Sequence, residues 1–247
     1  MSVSKRDAIK AQRIKKKRQQ RMNTILGVGG FIVILILILA SPTIFNALKP
    51  AGDFVRITPE ARALADGKAM GNPNAPVTIE VFEDFQCPAC KGYAGSVEKE
   101  LSQSSYISGG QVYYIFRQYP FLDSNSVTKE SHQAANASMC ALEQGRFWDY
   151  HDILFANQGL ENQGSFNNKR LQAFAESLGL DMTAFNKCFN NNTYSTQISD
   201  DFQKGQNYGV TGTPTIFLNG VQVTPGQVPT YDQLKAAIDA ALSGGGG

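Results

Sequence analysis

Between Arg21 and Lys49 the chain carries no charged side chain, and Phe31 to Leu39 is wholly apolar. Taken from 24 to 45, this run matches the ~20 residues a helix needs to cross a bilayer core. No such run recurs, so the pattern predicts one membrane span. Over 46–75 the periodicity is broken by Pro50, Gly52, Pro59, Gly67, Gly71 and Pro73; the stretch reads as a linker, with room for a short helix over Pro59–Ala65. Val77–Phe82 is a run of β-formers and reads as a buried strand. A helix from Cys87 to Leu101 and a strand over Gln111–Gln118 follow. From about 127 to 208 the pattern is helical, in segments 128–144, 147–157, 168–178, 182–189 and 194–207. Pro214–Leu218 is a third strand, Asn219-Gly220 a hairpin turn, Val221–Thr224 the return strand, and Tyr231–Leu242 a closing helix with Thr230 and Gln233 placed for a capping box. The order is β-α-β, a helical block, then β-β-α: an α/β domain over 76–243 with a helical insertion at about 127–208. The Gly run 244–247 reads as a disordered tail.

Charge gives the apolar run an orientation. Residues 1–23 hold nine Lys or Arg and a single acid, Asp7, whereas the other 224 residues hold 14 basic and 20 acidic side chains. A basic segment before an apolar span stays on the cytoplasmic side, so 1–23 reads as a cytoplasmic tail, 24–45 as a signal-anchor, and the domain as extracytoplasmic. A cleaved signal peptide is the alternative, but Ile38 and Phe45 stand where a small residue is wanted before a cleavage site. The acidic body argues against a nucleic-acid partner.

The chemistry concentrates at Cys87-Pro88-Ala89-Cys90, where a strand gives way to a helix. Cysteines at i and i+3 share a helix face and are within bridging reach. Pro88 suits the first helical position, which places Cys87 at the helix N-terminus, where unpaired amides and the dipole favour a thiolate. Cys90, one turn deeper, reads as the resolving thiol. Half of a zinc site and an inert structural disulfide are the rivals. Zinc needs two further ligands, and Cys140 and Cys188 lie 48 residues apart while His132 and His151 show no paired ligand spacing. Thr213-Pro214, entering a buried strand, suggests a cis bond.

Together these residues resemble the thioredoxin superfamily, and within it the DsbA-like exported oxidoreductases that carry a helical insertion. The resemblance covers about 70–243. It rests on Phe85-Gln86-Cys87-Pro88-Ala89-Cys90-Lys91, on Gln144-Gly145-Arg146-Phe147-Trp148 running to His151-Asp152, and on Gly212-Thr213-Pro214-Thr215. It implies a thioredoxin fold, attack by Cys87 on substrate cysteines through a mixed disulfide, a cis Pro214 facing the cysteine pair, and a Thr213 backbone that pairs with substrate. It also implies exported protein substrates with cysteine thiols and a membrane quinone-linked thiol oxidase as redox partner. Many relatives have His at the position of Ala89, so a less strongly oxidising pair is expected here. Many also bury an acid six residues before the first cysteine, where this chain has Val81. Glu80 is expected on the opposite sheet face, and Glu83 to substitute only if the strand bulges. Thr213 also occurs in reductase-type and isomerase-type relatives, which keeps a disulfide reductase or isomerase open as the alternative, beside a non-catalytic binding or chaperone module.

In an exported domain, Cys140 and Cys188 are expected to pair as a structural disulfide, with free buried thiols or a second redox relay as the other readings. His151, on one helical face with Trp148 and Phe155, reads as a packed core histidine, and so does His132. With no phosphate loop, dinucleotide turn or HExxH, neither a cofactor nor a metal is implied.

Overall fold

The computed structural model describes residues 13–32, 34, 51–124 and 126–244. It divides into two units, 1–50 and 51–247. In the first, residues 13–32 form a helix (α1). Among the described residues no helix is long and apolar enough to cross a membrane. Residues 33 and 35–45 of the predicted span lie outside the described residues, as do 1–12 of the basic tail and 245–247 of the Gly run.

The second unit is built on one six-stranded sheet of order β1-β2-β4-β3-β5-β6. The strands are β1 (Ala65–Asp66), β2 (Ala69–Gly71), β3 (Val77–Glu83), β4 (Val112–Gln118), β5 (Thr215–Leu218) and β6 (Val221–Gln222). β3 and β4 are parallel and every other pair is antiparallel. Between β3 and β4 run α2 (Pro88–Tyr93), a π-helical turn (Ala94–Glu98), α3 (Lys99–Ser102) and α4 (Ser105–Ser108). The insertion comprises α5 (Glu130–Leu142), α6 (Phe147–Ala156), α7 (Asn168–Ser177), α8 (Met182–Asn190) and α9 (Ser195–Asn207), and α10 (Tyr231–Gly244) closes the chain. This is the thioredoxin arrangement with a helical insertion that the resemblance implies.

Strand parity divides the core. Val77, Ile79 and Val81 of β3 join Tyr114 and Phe116 of β4, Phe147 and Ile153 of α6, and Leu234 and Ile238 of α10 in the main cluster. Phe82, on the opposite parity, packs with Tyr119, Val210 and Phe217 in a smaller one. Local signals end elements as the sequence predicts. Asn219 and Gly220 both have positive φ at the β5–β6 turn. Thr230 N donates to Gln233 Oε1 at 2.9 Å and Gln233 N to Thr230 Oγ1 at 3.3 Å, a reciprocal cap on α10.

The structure corrects the reading of 51–75; 46–50 lie outside the described residues. No helix forms over Pro59–Ala65. Instead Leu64 turns the chain, Arg62 is drawn inward to Asp152 and Glu98, and residues 65–71 add a hairpin to the sheet edge. Gly71 makes this docking feasible: a Cβ there would stand 2.0 Å from the Val112 carbonyl oxygen. The strands are too short to show alternation, so only their glycines were visible, and these looked like linker residues. Phe54 and Ile57 also pack on the main core. His132 is half-exposed rather than a core residue; its Nε2 lies 3.1 Å from Asn192 Oδ1.

Cys140 of α5 and Cys188 of α8 are bonded, with S–S 2.01 Å. The bridge clamps the insertion across 48 residues of sequence. Replacing both by Ala is expected to lower stability to urea by about 4 kcal/mol on the chain-entropy account, and a loss below about 1 kcal/mol would refute a stabilising role.

Candidate active site

β3 delivers the site. Its last residue, Glu83, is followed by Asp84-Phe85-Gln86, and the Cys87 amide closes this turn on the Asp84 carbonyl at 2.9 Å. Three residues of the insertion hold the turn from outside. Gln158 Nε2 donates to the carbonyls of Phe85 (2.7 Å) and Cys87 (2.9 Å). Gln86 donates to Ser131 Oγ at 2.8 Å and accepts from the Asn162 amide at 2.7 Å. The Asp84 carboxylate receives the amides of Gln86 (2.9 Å) and Leu122 (3.1 Å); burial still raises its pKa to about 7. The helical insertion therefore does more than cover the sheet: it fixes the strand-to-helix turn.

Cys87 is the N-cap of α2, with φ −75° and ψ 120°, and Pro88 follows as its first helical residue. Both cysteines are unbonded thiols in this structure. Cys87 keeps 7% of its surface and Cys90 none. The exposed edge of Cys87 is narrower than the spacing alone suggests, but the asymmetry is in the predicted sense. Pro88 and Ala89 stand exposed beside it. Across from the pair, the Thr213–Pro214 peptide bond is cis, and the Cys87 thiol donates to the Thr213 carbonyl at 3.2 Å. A cavity of about 300 Å³ opens along the same loop, lined by Gly212, Thr213, Pro214, Gln222 and Val228 among others. The structure thus brings together Cys87, Pro88, Ala89, Cys90, Thr213 and Pro214. Cys140 and Cys188 stand apart in the insertion.

The two thiols are chemically unlike. Cys87 is lowered from 9.0 to about 6, chiefly by the Cys90 thiol donating to it. Partial burial opposes this, and the backbone amides of Cys90 and Ala89 add to it. Burial drives Cys90 well above its ordinary value, and its neighbours Cys87 and Glu83 push the same way. A thiol ionised at neutral pH beside one that holds its proton is suited to attack and resolution in thiol–disulfide exchange.

Glu83 is the site residue that sequence reasoning set aside. It needs no bulge: the β3–β4 register is unbroken from Val77 to Glu83. With a period of two, Glu83 falls on the same face as Val81. It is fully buried, interacts with the Cys90 thiol, and is raised well above the ordinary carboxylate value by burial, Glu98 and Cys87. Parity alone could have found it. Glu80 does face the other side, where it pairs with Arg117 and Lys204. Among the described residues no cluster of His, Cys, Asp or Glu could hold a metal ion.

A family profile described as Thioredoxin matches residues 64–240. A probable disulfide bond formation protein D from Bacillus cereus is 26% identical over 227 residues, covering 90% of this chain and 99% of that protein. The structure is similar to oxidised BdbD from Bacillus subtilis, with TM-score 0.63 and 25% identity over 78% of this chain and 100% of that one. Reduced DsbA from Mycobacterium tuberculosis matches at TM-score 0.57 and 26% identity, covering 77% of this chain and 93% of that one.

The lowered Cys87 value sets a pH dependence. A group held at about 6 when folded, against 9.0 as its ordinary value, adds stability that is complete above pH 9 and gone below pH 6. The stability of the dithiol form relative to the disulfide form is therefore expected to rise between pH 6 and pH 8.5 in paired urea titrations. A gap that stays constant with pH would contradict the assignment.

Proposed function

Because the chain belongs to the thioredoxin family and is a DsbA-like thiol–disulfide oxidoreductase, we propose that it works outside the cytoplasm, tethered to the membrane by residues 24–45, and introduces disulfides into exported proteins. The observation that carries this reading is the unequal pair: Cys87 lowered to about 6 at the mouth of the site, and Cys90 held protonated beneath it. A substrate thiolate attacks Cys87 Sγ in the oxidised pair. The Cys87–Cys90 bond breaks, Cys90 leaves as the resolving thiol, and a mixed disulfide forms on Cys87. The second substrate thiol then displaces Cys87, leaving the substrate oxidised and the pair reduced. Pro88 starts the helix, Ala89 contributes its amide, and the Thr213–Pro214 loop offers a backbone edge to the substrate.

Stabilising the Cys87 thiolate stabilises the reduced pair, which makes the disulfide a stronger oxidant. Two features moderate this. Ala89 adds no side-chain donor, and partial burial of Cys87 opposes its negative charge. The nine basic residues before an uncharged stretch support the anchor and its orientation. The Cys140–Cys188 bridge is consistent with an oxidising compartment such as the periplasm or cell-wall space. Confinement to the membrane raises the effective concentration near both emerging substrates and a quinone-linked thiol oxidase, which reoxidises the pair.

The reduction potential of Cys87–Cys90 decides the direction. Equilibration with glutathione is expected to place it well above about −220 mV, yet below the about −120 mV of a His-containing DsbA. A value near the about −270 mV of thioredoxin would replace this reading with that of a reductase.

A further inference from the structure

Five buried side-chain nitrogen or oxygen atoms lack a hydrogen-bond partner among the described residues: Arg62 Nε, Glu83 Oε2, Tyr93 OH, His151 Nε2 and Thr213 Oγ1. Thr213 belongs to the substrate side of the site. The other four belong to one train of contacts that starts beneath Cys90. Glu83 meets the Cys90 thiol. The Tyr114 hydroxyl lies 3.4 Å from Glu83 Oε1 and donates to Glu98 Oε2 at 2.8 Å. His151 Nε2 stands 3.6 Å from the same Glu98 oxygen, and His151 Nδ1 is 2.9 Å from Asp152 Oδ1. Arg62 bridges the far end, 2.7 Å from Asp152 and 3.5 Å from Glu98. There the train reaches water. The Asp152 side chain is 28% exposed and, with Arg62 and His151, lines a cavity of about 340 Å³.

The π-helical turn explains how Glu98 comes to face inward. Its extra residue per turn breaks the α-helical phase, and Val97 and Glu98 are both buried, Glu98 completely. A purely structural ion network would leave few polar atoms unpaired at such depth, because each costs on the order of 1–3 kcal/mol. Cys90 also creates a demand. It leaves as a thiolate with no exposed surface, and the proton it takes from Glu83 would leave a carboxylate stranded beside Glu98. That state is costly unless the proton is replaced.

Resting on the oxidoreductase reading above, we propose that Tyr114, Glu98, His151 and Asp152 form a proton relay that connects the Glu83–Cys90 pair to solvent at the Arg62 cavity. In the step it serves, the bond from substrate sulfur to Cys87 forms as the Cys87–Cys90 bond breaks. The electron pair goes to Cys90, which takes the Glu83 proton. Glu83 regains one from the Tyr114 hydroxyl as it turns from Glu98 toward Glu83; Tyr114 is refilled through Glu98, Glu98 from His151 Nε2, and His151 at Nδ1 from water in the Arg62 cavity, with Asp152 holding that edge of the ring. One proton is delivered per Cys90 released, and the reaction needs no oxidant beyond the protein's own disulfide. Burial holds Glu83 in its protonated form, able to donate. Asp152 is raised by burial, but hydrogen bonds from His151 and Arg62 outweigh this and hold it ionised at the outer end. Burial raises both Tyr93 and Tyr114 well above their ordinary value, so Tyr114 passes a proton on only as it receives one and stays neutral throughout.

The test is single-turnover reduction of the full-length disulfide form by dithiothreitol in detergent, followed by fluorescence of Trp148, the single tryptophan, whose ring lies 5.2 Å from His151. Glu98→Gln and Tyr114→Phe are each expected to slow the reaction on the order of tenfold or more and to enlarge its solvent deuterium isotope effect, because proton delivery becomes limiting. If Glu98→Gln fails to fold, Tyr114→Phe and Asp152→Asn at the half-exposed end decide in the same way. Folded variants at the wild-type rate, or slowed without a change in isotope effect, overturn the relay and leave the oxidoreductase reading intact. A wild-type chain that shows no exchange removes both.

Discussion

The sulfur of Cys87, held at the open end of α2 with Cys90 one turn beneath it, is the arrangement on which the rest of the structure depends. β3 aims the chain at this point. The Asp84–Gln86 turn, pinned by Gln158, Asn162 and Ser131, fixes where the helix starts. The cis Thr213–Pro214 loop brings a carbonyl to 3.2 Å from the sulfur. Residues from four distant parts of the chain thus converge on one atom. What distinguishes the two thiols is position: the first turn of a helix offers donors and a narrow opening, and the next turn offers only burial.

A buried carboxyl, Glu83, sits beneath the cysteine pair. Glu83, held protonated by burial, stores the proton that Cys90 needs. The position between the cysteines, where a charged or donating side chain would tip the balance further toward thiolate, is Ala89. The pair is therefore poised by competition: hydrogen bonds from Cys90 and the helix amides on one side, burial on the other. Placing the acid on the sheet rather than on the helix lets the site hold a proton store without exposing it to solvent beside the substrate.

How much of this could be read from the sequence depended on whether a feature is local. The cysteine spacing with Pro88, the Asn219-Gly220 turn and the Thr230–Gln233 cap are set by neighbours within four residues, and each appears where the pattern puts it. Glu83 is also local; counting parity from Val81 would have found it. The β1–β2 hairpin escapes a local reading because β2 is docked by β4, more than 40 residues away, and Gly71 matters for what it lacks. Glu98 was hidden because a π-helical turn breaks the periodicity on which helix reading rests. Arg62, Tyr114 and His151 meet only through the tertiary fold, so no spacing announces them.

The central claim is that one thiol is ionised and reachable while its neighbour is neither. The pH dependence of iodoacetamide alkylation of the dithiol form measures this directly, with peptide mapping to identify the modified cysteine. The account predicts a rate that is half-maximal near pH 6, with all modification on Cys87. A midpoint near 9, the ordinary value, or comparable labelling of Cys90, would contradict it.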